Sequence, residues 1–364
     1  MDGIKDYRCY QTYWHERNFG CRIREFVYRG HRCLSLENQF LRIVIAAGKG
    51  TDILEFLYKP LDMELLWHSY NGLREFDSYR ASSPLSVGHF RDYYAGGWHE
   101  ILPNGAAPSE HRGASFGQHG EATHLPWSYQ IEMDEPERVQ VRFWVRLVRL
   151  PLVVQKTFTL ESGSSTLQIH ERLHNDAGQP VEALWGHHPT FGWPFLERGC
   201  RVYLPPCAAV VSDSPLENSR LAPSQRCQWP RVADRGGHPL DLSMIPGPEA
   251  GSQDFVRLED LADGWFAIVN PGRQVGFAFR WDVRLFPVLG FWQVFRGAPD
   301  YPWYGMNYLA ALEPACDLPS LKEAAARGTA IRIEPGRSVE TELEATVFRS
   351  PLEVKTVKSK GILE

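Results

Sequence analysis

The stretch from Val139 to Leu160 constrains the fold of this chain more than any other part of it. Apolar residues alternate there with cationic or polar ones, first as Val-Gln-Val-Arg-Phe-Trp-Val-Arg and again around Val153 to Leu160. A period of two is typical of β-strands with one buried and one solvated face. The pattern returns elsewhere in the chain, whereas helical periodicity is scarce. The sequence therefore predicts an all-β, mainly antiparallel protein.

Further strands are predicted where apolar residues alternate between turn residues. These predicted strands cover residues 34–45, 53–57, 63–67, 167–173, 265–269, 275–281, 330–333 and 339–347. Turn formers separate them, as at Asn175 to Gly178. The best helix candidate runs from Leu318 to Arg327, with Gly328 as its stop signal.

Turn residues fall between strands throughout, and no Pro/Gly/Ser-rich linker divides the 364 residues. We therefore expect one domain over 1–364, a large antiparallel β-sandwich with an amino-terminal extension over 1–30 and a tail over 350–364. Two segments, 78–126 and 205–251, lack the strand pattern. Long loops inside a compact β domain are commonly functional, and we expect the first to cross the mouth of a cleft.

Composition argues against several classes of partner. The 39 Lys and Arg against 44 Asp and Glu give a net charge of −5, too small for an electrostatic nucleic-acid binder. No apolar run approaches the roughly 20 residues that span a bilayer, and the polar residues 1–10 contain no secretory apolar region. The seven cysteines form no Cys-x-x-Cys pair, which favours free thiols in a reducing cytosol. We expect a cytoplasmic protein with no nucleic-acid or membrane partner.

The run from Trp185 to Trp193, which reads WGHHPTFGW, concentrates candidate chemistry. Histidine changes charge near neutral pH, and aromatic rings suit the wall of a sugar pocket. Because Pro189 biases the preceding residue toward an extended backbone, His188 is expected at the end of a strand. Neighbours on a strand point to opposite faces, so His187 is the better candidate for a structural role.

Six short motifs occur in a characteristic order along most of the chain. They are Met63-Glu64-Leu65-Leu66, Gly117-Gln118-His119-Gly120, Leu173-His174-Asn175-Asp176, His188-Pro189-Thr190-Phe191, Ala311-Leu312-Glu313-Pro314 and Glu334-Pro335-Gly336-Arg337. In this order they resemble the aldose 1-epimerase, or galactose mutarotase-like, superfamily. The resemblance implies the supersandwich type of β-sandwich, with few short helices.

The resemblance also implies catalytic roles. Mutarotation opens a pyranose by protonating the ring oxygen while the anomeric hydroxyl loses its proton, which requires one acid and one base. Glu313 would be the base and His188 the acid, while His119 would bond near the ring oxygen and share the donor role. Burial would raise the pKa of Glu313 toward neutrality, whereas a histidine needs no large shift. The reaction requires no metal and no organic cofactor.

Seven further residues are candidates for binding the sugar. They are Trp98, Glu100, Arg112, Glu121, Trp193, Asp254 and Gln293. The tryptophans could stack on the ring, the amide and carboxylates could bind hydroxyl groups, and the arginine could hold an anionic substituent. Core packing, scaffold ion pairs and ordinary surface positions are the competing roles for these residues. The loop before His119 lacks the arginine of the better-studied mutarotases, so the identity of the sugar is left open.

A metal site is a less favoured interpretation. His99, His111, His119, Glu121 and His124 lie close in sequence, and imidazoles with a carboxylate are typical zinc or iron ligands. However, no His-x-His occurs in this irregular stretch, which argues against a metal site.

Three functional classes follow from these features. The favoured one is a mutarotase acting on a small free aldose or an aldose derivative, as a monomer or homodimer. The second is a lyase, hydrolase or other isomerase on the same scaffold, and the third is a sugar-binding or regulatory protein without turnover. A binding module would keep the aromatic residues and lose the acid and base, so the presence of Glu313 and both histidines favours catalysis.

Overall fold

The computed structural model describes residues 17–75, 86–349 and 353–359, within which strands predominate. In chain order the strands are β1 (Arg22–Tyr28), β2 (His31–Glu37), β3 (Leu41–Ala46), β4 (Asp52–Tyr58), β5 (Met63–Glu64), β6 (Trp98–Ile101), β7 (Ser109–His111), β8 (Ala114–Phe116), β9 (Ser128–Asp134), β10 (Arg138–Arg146), β11 (Leu152–Glu161), β12 (Thr166–Asn175), β13 (Val181–Ala183), β14 (Gly186–Gly192), β15 (Arg201–Tyr203), β16 (Ala208–Val211), β17 (Gln225–Gln228), β18 (Arg231–Ala233), β19 (Pro239–Asp241), β20 (Ser252–Glu259), β21 (Trp265–Asn270), β22 (Val275–Arg280), β23 (Val288–Phe295), β24 (Tyr308–Ala315), β25 (Ile331–Ile333) and β26 (Ser338–Arg349). The α-helices are α1 (Ser86–Tyr93) and α2 (Leu321–Arg327), and short 3-10 turns cover Lys59–Leu61, Ala122–His124 and Pro248–Ala250.

These strands form two large antiparallel sheets. The twelve-stranded sheet has the order β1-β2-β3-β4-β6-β14-β24-β23-β20-β16-β17, with β5 paired to β4. The eight-stranded sheet has the order β15-β21-β22-β26-β12-β11-β10-β9, and the pairs β13-β25, β18-β19 and β7-β8 stand apart. The all-β prediction is confirmed.

Aromatic side chains from both sheets interlock to form the core. Phe277 of the eight-stranded sheet contacts Phe56 and Phe191 of the other sheet, with ring centroids 5.5 and 4.9 Å apart. Phe279 packs on Trp98 in the same way, at 4.8 Å. In a β-sandwich, every second side chain of each strand points toward the opposite sheet. The contacts between the two sheets therefore confirm the predicted sandwich.

A polar cluster is enclosed between the sheets. Lys156 Nζ lies 2.8 Å from Glu100 Oε2 and 3.3 Å from Glu171 Oε1. Glu171 Oε2 lies 3.0 Å from His187 Nε2, and Trp185 Nε1 donates a 2.7 Å bond to Glu100. Burial alone would lower the pKa of Lys156, but its two carboxylate partners raise it, so the cluster keeps its ammonium charge.

The predicted helix is confirmed but begins later than expected. Ser320 is its N-cap and accepts a bond from the backbone N–H of Glu323, which is why the helix starts at Leu321. Gly328 ends it in the left-handed conformation, with φ of 72°.

The two segments expected to be loops contain short strands. Segment 78–126 includes β6 to β8 and α1, and segment 205–251 includes β16 to β19. Strands of three or four residues are too short to show an alternation of apolar and polar side chains. The sequence therefore did not predict them. Residues 76–85, which include the start of the first segment, lie outside the described residues, as do 1–16, 350–352 and 360–364 of the predicted extension and tail.

The sequence predicted free cysteines and no membrane-spanning segment, and both expectations can be compared with the described part of the chain. Its six cysteines are free thiols, five of them buried. Across the same residues no helix has both the length and the apolar character needed to cross a membrane.

Candidate active site

The histidine motif lies on β14, a central strand of the twelve-stranded sheet. His188 is inside this strand and not at its end, where the sequence had placed it. His187 and His188 are successive residues of β14 and point to opposite faces, as predicted. His187 points into the sandwich and bonds Glu171, whereas His188 points to the outer face. Because His187 is enclosed between the sheets, His188 is the one of the two that can contact a ligand on the outer face.

Strand register sets the partners of His188 on the outer face. His99 on β6 pairs directly with His188 across the ladder. On the other side, the pairs Gly186–Ala315 and Thr190–Ala311 place Glu313 of β24 opposite His188. Directly paired residues of antiparallel strands share a face, with Cβ atoms about 5 Å apart. His99, His188 and Glu313 therefore form a row across three adjacent strands.

His188 and Glu313 are in contact. His188 Nε2 lies 3.2 Å from Glu313 Oε1, with both side chains almost fully buried. On the other edge of the ring, His188 Nδ1 lies 3.0 Å from Thr190 Oγ1, and that hydroxyl lies 2.8 Å from the Tyr94 hydroxyl. The imidazole is therefore held in one orientation by groups on both of its nitrogens.

His119 reaches the same place from a loop. Its ring lies 5.3 Å from the rings of both His188 and His99, and 4.6 Å from that of Phe90. Its backbone is left-handed, with φ of 57°, a conformation that non-glycine residues adopt only at a cost. The structure thus brings all three predicted catalytic residues, His119, His188 and Glu313, together.

These groups form the floor of a cavity of about 330 Å³. Aromatic rings make much of its wall, and amide side chains add hydrogen-bonding groups at its rim. The remaining lining residues are Phe90, Arg91, Tyr94, Ala106, Gln118, Leu216, Gln253, Phe255, Trp292 and Trp303. An apolar pocket with a few convergent polar groups is the usual form of a small-molecule site.

Burial shifts the pKa of both members of the His188–Glu313 pair. It raises the pKa of Glu313 to about 8 and lowers that of His188 to about 3. Both shifts favour the neutral form, because a charge is poorly solvated in this setting. The direction for Glu313 is as predicted, whereas the shift of His188 is larger than the sequence led us to expect, since its ring is fully enclosed.

The raised pKa of Glu313 makes stability depend on pH. From about 4.5 to about 8 the folded protein keeps a proton that the unfolded chain releases, so stability falls as pH rises through this range. We expect Glu313→Gln to remove up to about 4 kcal/mol of the wild-type decline between pH 5 and pH 9. Urea unfolding at both pH values measures this, with exposed Glu334→Gln as the control. An unchanged decline in Glu313→Gln would contradict the buried, protonated carboxyl.

Four of the predicted sugar ligands lie on strands of the site but point away from the cavity. Trp98 and Glu100 flank His99 on β6 and point into the sandwich, where they contact Phe279 and Lys156. Asp254 and Gln293 likewise face the other side of β20 and β23. Both of them bond Arg220, Asp254 at 2.6 Å and Gln293 at 3.1 Å. On β20 and β23, the residues that line the cavity are Gln253, Phe255 and Trp292.

The other three predicted ligands lie outside the cavity. Glu121 accepts bonds from the backbone and guanidinium of Arg149. Arg112 is half exposed, lies 3.2 Å from Glu182 and donates to the Pro180 carbonyl. Trp193 is 72% exposed. These positions correspond to the scaffold and surface roles that the sequence left open.

The sequence did not single out most of the cavity wall. Phe90 lies in α1, Tyr94 directly follows that helix, and Trp303 lies in the loop between β23 and β24. The 12 tryptophans of the sequence suit such a wall, but a residue count carries no positional information.

A larger groove, of about 650 Å³, lies on the outer surface of the eight-stranded sheet. Charged side chains line it and are paired with one another. Examples are His170 with Glu340 and Arg284 with Asp282. Since it lacks the buried acid, base and aromatic wall, we place the candidate site at the smaller cavity.

Comparison with known families gives one decisive match. The profile of a family described as a domain of unknown function (DUF4432) matches residues 28–347. The chain belongs to this family. No curated protein matches it at a significant level.

Solved structures extend the comparison beyond the DUF4432 family. A Klebsiella pneumoniae protein, named as a candidate aldose 1-epimerase, is 18% identical and superposes with a TM-score of 0.68 over 90% of this chain and 87% of its own. An Escherichia coli protein with the same kind of name is 15% identical, with a TM-score of 0.58 over 90% of this chain and 100% of its own. A Lactobacillus acidophilus galactose mutarotase related enzyme is also 15% identical, with a TM-score of 0.57 over 89% and 100%.

At these identities the likeness concerns the fold alone. It confirms that this member of the DUF4432 family has the galactose mutarotase-like fold that its motifs predicted.

Proposed function

We propose that this protein is a carbohydrate isomerase, an aldose 1-epimerase that interconverts the anomers of a free aldose or aldose derivative. The observation that carries the proposal is the 3.2 Å contact between His188 Nε2 and Glu313 Oε1 at the floor of an aromatic cavity. Ring opening needs one proton donor and one proton acceptor close to the same carbon, and this pair offers both.

In the proposed reaction Glu313 removes the proton of the anomeric hydroxyl while His188 protonates the ring oxygen. The ring C–O bond breaks and an aldehyde forms. After rotation about the bond to that carbon, the hydroxyl attacks the other face of the aldehyde, and both protons return. His119, beside His188, bonds near the ring oxygen and shares the donor role.

The pair suits this cycle because it carries a single proton near neutral pH. With the pKa of Glu313 at about 8 and that of His188 at about 3, the resting form is a carboxylic acid beside a neutral imidazole. Transfer of the proton to His188 Nε2 gives the carboxylate base and the imidazolium acid. Thr190 Oγ1, next to Nδ1, accepts from the ring in that state.

The cavity supports a small sugar as the substrate. Pockets for small molecules usually measure about 300–1,000 Å³, and this one, at about 330 Å³, is at the small end of that range. Trp292 and Trp303 offer apolar ring faces, while Gln118 and Gln253 offer amides for hydroxyl groups. This size favours a monosaccharide over the long substrates of a lyase. A cytoplasmic monomer or homodimer remains our expectation for the protein.

Anomer exchange followed by NMR on a panel of aldoses tests the proposal. We expect the wild type to exceed buffer for at least one sugar, and His188→Ala to lower kcat by about 10²–10⁴-fold. Exchange no faster than buffer for every sugar, with sugar binding retained, would point instead to a binding protein without turnover. An alanine variant as fast as the wild type would also contradict the mechanism.

A further inference from the structure

Three imidazoles meet beside the cavity, one more than the proposed acid–base reaction uses. His119 and His188 line the cavity, and His99 stacks on His188. The rings of His99 and His188 are stacked, with centroids 4.4 Å apart and planes at 25°, and the ring of His119 stands edge-on to both. One nitrogen from each ring can be chosen so that all three lie within 4.8 Å of one another. A cluster of three imidazoles this close together can hold a first-row transition metal once the rings rotate toward one point.

His99 has no other evident polar role. It is 2% exposed, and within the described residues neither of its ring nitrogens has a hydrogen-bond partner. Aromatic rings of Phe90 and Tyr94 pack around it. Buried polar atoms are normally paired, so an unpaired imidazole packed against two other imidazoles is suited to binding a ligand together with them.

The two partner histidines are also suited to the task. His119 Nδ1 is buried and, over the described part of the chain, likewise unpaired. Burial first, and then the nearby His188, keep the pKa of His99 and that of His119 well below the usual range. Both rings are therefore neutral at physiological pH, the form in which histidine binds a metal.

We infer that His99, His119 and His188 bind one divalent first-row transition-metal ion, of which Zn²⁺ is the best probe. Three imidazoles with an open fourth position form a known type of zinc site. Glu313, which contacts His188 and lines the cavity, can supply a carboxylate oxygen as a further ligand. Zinc–nitrogen bonds of about 2.0 Å require the ligand nitrogens to approach one another by up to about 1.5 Å, through inward rotation of the rings.

The metal site and the acid–base cycle compete for His188. A ring that binds the ion through Nε2 cannot donate a proton from that atom. The inference therefore concerns a binding property of the pocket, and it stands whether or not the protein epimerises sugars. It also predicts that zinc suppresses any epimerase activity.

Equilibrium metal binding tests the inference. Full-length protein without a histidine tag is treated with chelator and titrated with Zn²⁺ by calorimetry and with Co²⁺ by visible absorption. We expect one ion per chain and the intense ligand-field bands of a four-coordinate Co²⁺ site. The His99→Gln variant loses one imidazole ligand and should bind Zn²⁺ at least about 100-fold more weakly. Mutation of residues that only support metal ligands already lowers metal affinity by about 10–100-fold.

A matched control and a second variant make the result decisive. His238→Gln removes a histidine that is 80% exposed at the surface and should bind both metals as the wild type does. His99→Phe keeps an aromatic ring at the site and covers the case in which glutamine disturbs packing. Absence of stoichiometric binding, or equal affinity in a folded His99 variant and in His238→Gln, would overturn the inference. Anomer exchange measured in chelator reports on the sugar chemistry separately.

Discussion

Replacing Glu313 with glutamine is expected to lower kcat/KM for anomer exchange by about 10²–10⁴-fold, the usual contribution of a general base. The amide has nearly the same shape and can still bond His188 Nε2, but it cannot take up the proton of the anomeric hydroxyl. KM should change little, since the aromatic wall and the amides of the cavity are untouched. Steady-state polarimetry on the sugar identified by NMR gives both parameters.

The pH profile separates a chemical role of Glu313 from a structural one. The reactive pair carries one proton, so kcat/KM should fall above a pH of about 8, where Glu313 loses that proton, and below about 3, where His188 gains a second. In Glu313→Gln the alkaline limb should disappear from the residual rate. Glu334→Gln, at an exposed turn, should retain the wild-type profile. A glutamine variant with the full rate, or with an unchanged alkaline limb, would exclude Glu313 as the base.

Lys156→Met is expected to destabilise the folded protein by about 3–5 kcal/mol, the usual result of removing one partner from a buried ion pair. Methionine fills most of the volume but leaves Glu100 and Glu171 without their shared cation. Both carboxylates lie between the sheets with no exposed side-chain surface. Urea unfolding at pH 7 measures the loss.

Two comparisons identify the cause of that loss. Arg198→Met breaks an exposed ion pair with Glu249 and should change stability by no more than about 0.5 kcal/mol. Adding Glu100→Gln and Glu171→Gln to Lys156→Met should restore part of the stability, because the uncompensated charges are then gone. A loss below about 1 kcal/mol in Lys156→Met would show that the cluster is already neutral.

The polar cluster also connects stability with the site. His187, bonded to Glu171, and His188, bonded to Glu313, are adjacent on β14. One side chain anchors the strand in the sandwich, and the other projects into the cavity. A strand buried on both faces, as β14 is, can hold its histidine in one position because neither side is free to relax.

Local pattern was sufficient for much of the fold. The alternation from Val139 to Leu160 specified β10 and β11, and their register pairs Val141 with Phe158 on the buried face. The order of six short motifs predicted the galactose mutarotase-like fold, which the solved structures confirm. The opposite orientations of His187 and His188 also followed from the sequence, because side chains of any extended strand alternate between its faces.

The sequence did not show which of the two faces of a strand points toward the cavity. Trp98 and Glu100 were predicted ligands, yet it is His99 between them that reaches the site. The same one-residue step separates Gln293 from Trp292. A shift of one residue exchanges the two faces of a strand. Because β6 and β23 are buried on both faces, their sequence pattern does not show which face lines the cavity.

The amino-acid sequence was enough to predict the longer strands, the fold and the three residues, His119, His188 and Glu313, to which the proposed chemistry is assigned. The stacking of His99 on His188, and the closing of the cavity by α1 and Trp303, became visible in the folded chain alone. The physical reason is that alternation and turn formation are set by neighbours in the chain. Strand pairing and pocket walls, in contrast, are set by contacts between residues that are distant in sequence, which no local pattern records.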